Sequence, residues 1–225
     1  MTNQFPDIIL ETQNSKNSFL KMNKDRQKIL EHSREMFLRE GFNKTTMDDI
    51  AGRMKISKKT IYKNFASKDE LVQEALVNFV LSNEQKINEL ANSELNAIEK
   101  CFAMFSLVGT ILIQISEKFL NDIRTFMPDL WNEIDRVRTK ILYPNLKAII
   151  EQGQHEEYFI ESDNSDALVA LFIVSIRGVI NPDALLENKL TPAKAAQSLI
   201  ELLINGILTD KGRKLFMKLK KGETK

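Results

Sequence analysis

An all-α fold is the class this chain predicts, and three observations predict it. Glycine and proline are scarce, 8 and 5 in 225 residues, so few positions break a helix. Lysine, glutamate, leucine, isoleucine, alanine and asparagine dominate, a mixture that favours helices with short connections. Apolar residues recur at i, i+3, i+4 and i+7, with Ser or Thr at the head of several such runs. At 43% apolar residues the chain can bury one substantial core or two smaller ones.

Residues 1–20 are polar, aperiodic and contain Pro6, which predicts a mobile tail. From Asn23 or Asp25 onward, Ile29, Leu30, Met36 and Phe37 mark a first helix that stops at Gly41. Thr46, with Asp49 three positions on, makes a capping box for a short second helix that carries Met47, Ile50, Ala51 and Met54 on one face. Ser57 caps a third helix whose inward residues are Ile61 and Phe65. Ser67 and Glu70 form the start of a long fourth helix through Leu71, Ala75, Leu76 and Phe79 towards Leu90. Further helices are expected over 95–115, 117–125, 128–152, 165–180 and 192–208, with a basic helix or tail over 213–221. Residues 153–164, containing Gly153, Asp163 and Asn164, read as a loop. The chain thus divides into a tail (1–20), an amino-terminal domain (21–70) and a carboxy-terminal domain (71–225).

Several function classes fall away. One cysteine, Cys101, excludes an intrachain disulfide framework and suits a reducing compartment. The amino terminus lacks the pattern of a signal peptide, and the longest uncharged run, 101–116, is too short to span a membrane, so a cytoplasmic protein is expected. No phosphate-binding glycine loop, nucleophile elbow or HExxH pair occurs, which argues against an enzyme. Glu151 and His155 stand four apart but flank Gly153, and a surface histidine is the simpler reading than a metal ligand. No cofactor and no metal is expected.

Charge is informative by its distribution. The net charge is +1, yet residues 21–70 hold thirteen Lys or Arg against eight Asp or Glu, so the remainder is acidic. The second and third helices, joined by a tight turn, form a helix-turn-helix. Its second helix turns outward Lys58, Lys59, Thr60, Tyr62 and Lys63, groups that bond phosphate oxygens and base edges in a DNA major groove. The capped starts at Thr46, Ser57 and Ser67 add oriented N–H groups suited to phosphates. The competing reading is a solvated lysine face on a helical adaptor that binds protein, and salt-sensitive DNA binding separates the two.

The run Gly41-Phe42-x-x-Thr45-Thr46-Met47-x-x-Ile50-Ala51, followed by Ile56-Ser57-x-x-Thr60-Ile61-Tyr62-x-x-Phe65-x-x-Lys68-x-Glu70-Leu71, resembles the amino-terminal domain of TetR/AcrR-type transcriptional regulators. The resemblance covers about fifty residues. It implies that Thr46, Tyr62 and Lys68 meet phosphates and that Lys58, Lys59, Thr60 and Lys63 lie nearest the bases, with Lys44 either a further phosphate contact or a solvated lysine. Lys55 and Lys59 depart from the glycines many members carry there. In the usual turn, Lys55 needs a left-handed conformation at a cost of roughly 1 kcal/mol.

Beyond residue 75 the resemblance implies a helical domain for dimerisation and for a small apolar or amphipathic effector, and hence a homodimeric repressor of a pseudo-palindromic operator. Helices 165–180 and 192–208 are apolar on more than one side, which suits a dimer interface through Leu171, Val174, Gly178, Ala196, Leu199, Ile200 and Leu203. Candidates for the effector pocket are Phe102, Phe105, Ile111, Gln114, Phe126, Trp131, Tyr143 and Arg177.

Overall fold

The computed structural model of the chain describes residues 24–221; the expected tail lies outside them. The described residues form α1 (Lys24–Glu40), α2 (Met47–Met54), α3 (Lys58–Asn64), α4 (Lys68–Ala91), α5 (Ala97–Leu112), α6 (Glu117–Phe126), α7 (Pro128–His155), α8 (Ser165–Val179), α9 (Pro182–Glu187), α10 (Pro192–Ile207) and α11 (Asp210–Lys220). No strand occurs among them.

Local chemistry sets the helix starts. Side-chain oxygens of Thr46, Ser57, Ser67, Asn96, Ser116, Asn164, Asn181, Thr191 and Thr209 each accept an orphan backbone N–H in the first turn of the following helix. α7 has no such cap and begins with Pro128, whose missing N–H would have been unpaired there anyway.

Two large apolar clusters, with a small third one of Ile150, Val169 and Ile173, hold the helices together. One runs unbroken from Ile29 and Phe37 in α1, through Ile61 and Phe65, to Phe119 and Ile123 in α6 and Leu185 in α9. The other lies around Ile98, Met104, Ile141, Ile149, Phe172 and Ile204. Apolar packing therefore crosses the boundary drawn at residue 70. α4 spans it, with Leu71, Val72, Ala75 and Leu76 buried in the first cluster and Ile87 and Ala91 in the second.

α6 makes a second connection between the two parts. The Ser116 N–H donates to the Leu38 carbonyl at 2.9 Å, and the Asn43 N–H donates to Asp122 Oδ2 at 2.8 Å. The Phe42 ring meets Phe119 edge-on, with centroids 6.2 Å apart. Gly41 permits this approach: its φ is +80°, and a Cβ there would stand 2.5 Å from Asp122 Oδ2.

Two expectations are corrected. Residues 153–155 are helical, because Gly153 serves close packing: a Cβ on it would lie 2.1 Å from the Phe159 ring. Its carbonyl accepts from the N–H groups of both Tyr158 and Phe159, which ends α7 just beyond. α9 was not anticipated, although Asn181 as cap, Pro182 in the first turn and buried Leu185 supply its signals.

Candidate nucleic-acid interface and internal cavity

α3 is held by its inner face. Ile61 and Phe65 are fully buried, whereas Tyr62 is 47% exposed. Lys59, Tyr62 and Lys63, spaced i, i+3, i+4, make one outward stripe, and all three are exposed. The helix is fixed at both ends. Ser57 Oγ accepts the Thr60 N–H at 3.1 Å and pairs with the Thr60 hydroxyl at 2.8 Å, leaving Thr60 half-buried. At the other end Arg26 lies 4.2 Å from the Phe65 ring centroid, donates to the Asn64 carbonyl, and engages both oxygens of Glu74 on α4 at 2.5 Å. Burial pushes the Glu74 carboxyl upward and outweighs the opposing pull of Arg26.

The turn before α3 contains Lys55 at φ 55°, ψ 39°, the left-handed conformation expected of it in the usual turn. Its N–H satisfies carbonyls at the end of α2, which offsets part of the steric cost. α2 is tied back to α1 by Arg53, whose two terminal nitrogens donate to the Glu40 carboxylate at 2.6 and 2.7 Å. That guanidinium holds Glu40 below the usual carboxylate range.

The other predicted DNA-facing residues differ in how free they are. Lys44 and Lys59 are exposed. Thr46 closes a capping box with Asp49, whose carboxyl is held low chiefly by the Thr46 hydroxyl. Lys58 donates to Asp48 at 2.7 Å, an exposed pair worth little that a phosphate can displace. Lys68 Nζ donates to the carbonyls of Phe42 and Asn43 at 2.9 and 3.0 Å, so without DNA it fastens the loop after α1. Arg26 and Arg53, the anchors of this unit, were not singled out from sequence; their helical positions gave no sign of the distant partners.

An internal cavity of about 160 Å³ lies between α4, α5, α7, α8 and α10. Of the residues expected to line it, Phe105 and Ile111 do. The others are placed elsewhere. Phe102 is half-buried on α5 outside the lining, Gln114 donates to the Thr110 carbonyl, and Phe126 is 54% exposed. Trp131 packs against the first cluster and Arg138. Tyr143 donates to Asp166, which raises its phenol, and Arg177 pairs with Asp135. Residues the sequence reading missed include Phe79 and Asn83 on α4 and Arg138 on α7. Charged residues inside the buried stripe of α7, Asp135 and Arg138 among Ile134, Val137 and Ile141, were the available signal. Cys101 also lines the cavity, its thiol pushed up to about 12 by burial, so it is an inert wall group and not a nucleophile.

The faces of α8 and α10 separate cleanly. Leu171 and Val174 are 61% and 64% exposed, and Gly178 opens onto free space. On α10, however, Ala196, Leu199, Ile200 and Leu203 line the cavity, Ala196 buried and the other three half-buried. That inner face packs on α5, and the outward residues are Lys194, Gln197, Ser198, Leu202, Asn205 and Gly206, with Leu202 71% exposed. Lys194, Gln197, Glu201 and Asn205 make one side polar, yet apolar residues reach beyond the opposite face, so periodicity alone could not orient Leu199, Leu202 and Leu203.

Comparison with known proteins agrees with this architecture. The profile of bacterial regulatory proteins of the tetR family matches residues 29–75, from α1 into α4. An uncharacterised HTH-type transcriptional regulator of Bacillus subtilis, YvaF, is 26% identical over 185 residues, 82% of this chain and 96% of its own. The HTH-type transcriptional repressor KstR2 of Mycobacterium tuberculosis is 32% identical over 84 residues, 37% of this chain and 42% of its own. A TetR-family regulator of Agrobacterium tumefaciens shares the fold with a TM-score of 0.61 at 18% identity, over 82% of this chain and 98% of its own. A capped helix-turn-helix, matched by the tetR-family profile over residues 29–75, is joined to a hollow helical domain, and the whole shares its fold with a TetR-family regulator over most of the chain.

Proposed function

We propose that the chain is a cytoplasmic, homodimeric repressor that binds a pseudo-palindromic operator and leaves it when a small apolar or amphipathic effector enters the cavity. The observation that carries this reading is the outward stripe of Lys59, Tyr62 and Lys63 on a helix anchored by fully buried Ile61 and, just past its end, Phe65. Lys58, Lys59, Thr60 and Lys63 approach base edges, and Lys44, Thr46, Ser57, Tyr62 and Lys68 serve the phosphates. The repressing direction is supported by the likeness to KstR2. Two such helices are needed for two half-sites about one DNA turn apart, and the exposed apolar residues of α8 and α10 favour a second copy as the source.

Release follows from the position of α4. Its first turns are buried under the head, and Phe79 and Asn83 further along line the cavity. A ligand seated there loosens DNA binding only by its preference for an α4 position that the operator-bound dimer does not adopt.

The test begins with selection of bound sequences from random DNA, followed by anisotropy titrations of the selected duplex over a salt series. Affinity is expected to fall steeply with salt through counterion release. Tyr62→Ala should cost about 1–2 kcal/mol on every duplex, whereas Lys59→Ala should shift preference among sequences. Binding that ignores salt, or no enrichment at all, would sink the reading in favour of a protein-binding adaptor.

A further inference from the structure

We propose that the cavity takes a single-ended amphiphile, an alkyl chain laid along α7 with an anionic oxygen head group at Arg138. This rests on the reading of the cavity as the effector site and names the class of effector.

The lining is apolar apart from Asn83, the Cys101 thiol and one charged residue, Arg138. A cavity meant for hydrocarbon alone has no use for a guanidinium, whose burial is costly unless it is paired. Here the pairing is incomplete. Asp135, itself buried, is shared between two cations: Arg138 Nη2 donates to its Oδ1, and Arg177 Nε donates to its Oδ2 at 2.6 Å. One carboxylate against two guanidiniums leaves an excess positive charge. Water serves Arg177, which is 53% exposed, but serves much less of Arg138, at 20%. Burial disfavours the charged form of Arg138, a direction that an anion bound beside it opposes.

Placement gives the ligand its polarity. On α7 the lining begins at Arg138 and continues through Ile141, Leu142, Leu146 and Ile149 to Ile150. At 1.5 Å per residue these positions extend over about 18 Å, with the charge at one end and only apolar side chains beyond. An ion with a long tail fits such a track, and a ligand charged at both ends does not. Because Cys101 stays protonated, the binding is non-covalent.

The chain's one tryptophan, Trp131, has its ring 5.7 Å from the Arg138 guanidinium and reports on the head-group site by its fluorescence. The full chain, without DNA, is titrated with laurate, dodecyl phosphate, dodecanol and dodecyltrimethylammonium below their micelle-forming concentrations, with calorimetry in parallel. At least one anion should bind roughly tenfold or more tighter than dodecanol, the expected worth of a charge-assisted hydrogen bond. Which of the two wins distinguishes a carboxylate head from a phosphorylated one, and the ammonium probe should bind weakest. Arg138→Met should erase the preference for anions and leave dodecanol affinity within about twofold. Arg177 still holds Asp135 in that variant, and Arg138→Gln replaces it if folding fails. Equal affinity for anions and dodecanol in the unmodified chain, or an anion preference that survives loss of Arg138, would overturn the assignment. Operator affinity is measured separately, so a failure of DNA binding leaves this result standing.

Discussion

α3 and α10 are both amphipathic helices, but they differ in what their surroundings complete. In α3 the apolar residue Ile61 is fully buried and the other side is polar, so the head needs no further molecule to close its core. In α10 the inner residues Ile200 and Leu203 face a void, and the outer Leu202 faces solvent. On the proposed function, the apolar surface left uncovered inside and outside is where other molecules finish the packing, a ligand within and a second copy without. The head is the finished part of the molecule, and the carboxy-terminal domain is the part left open.

The largest expected effect comes from making the same deletion in both regions. Ile61→Ala removes a fully buried side chain from a filled core and should cost about 2–4 kcal/mol, with loss of DNA binding. Ile200→Ala removes a side chain that already borders empty space, and should cost about 1–2 kcal/mol because fewer contacts are lost. Urea unfolding midpoints of the two variants measure the difference. Equal costs would mean that the cavity wall is packed as tightly as the head.

Next in size is the outer face. Leu202→Glu puts a charge into the proposed contact between copies and should weaken self-association about 100-fold, converting the dimer to monomer in sedimentation velocity. Leu199→Ala, directed at the cavity, should change association by less than about twofold. The reverse result would restore Leu199 to the interface.

The same contrast decides what could be read from the chain. The head was legible because each signal there is local and chemically two-sided: Thr46 with Asp49, Ser57 before Lys58, Ile61 against Tyr62. The left-handed Lys55 was legible only through the resemblance, which places it where many relatives carry glycine. α10 was legible as a helix but not in its orientation, since Leu199, Leu202 and Leu203 look alike in sequence and only the position of α5 separates them. Cavity residues were hardest, because the lining draws on five helices and no spacing in one chain segment encodes it. Arg138 and Asp135 were visible as charges in an apolar stripe, and their meaning depended on Arg177, distant in sequence.

Lys68 offers the smallest effect and the finest division within the head. Sequence resemblance gives its ammonium to a phosphate, whereas in the DNA-free fold it is bound to the carbonyls of Phe42 and Asn43. Lys44, exposed and assigned to the phosphates, makes the natural control. If the carbonyls keep Lys68, then Lys68→Met should cost about 1 kcal/mol, lower the melting temperature by roughly 2–4 °C, and leave the salt slope of DNA binding unchanged. Lys44→Met should do the opposite, sparing stability and reducing that slope by about one. A Lys68→Met variant that melts normally but loses one unit of slope would mean that the ammonium moves to the duplex on binding. The loop after α1, which Asp122 also holds, would then be part of the DNA-contacting surface and would bring α6 within one residue of it.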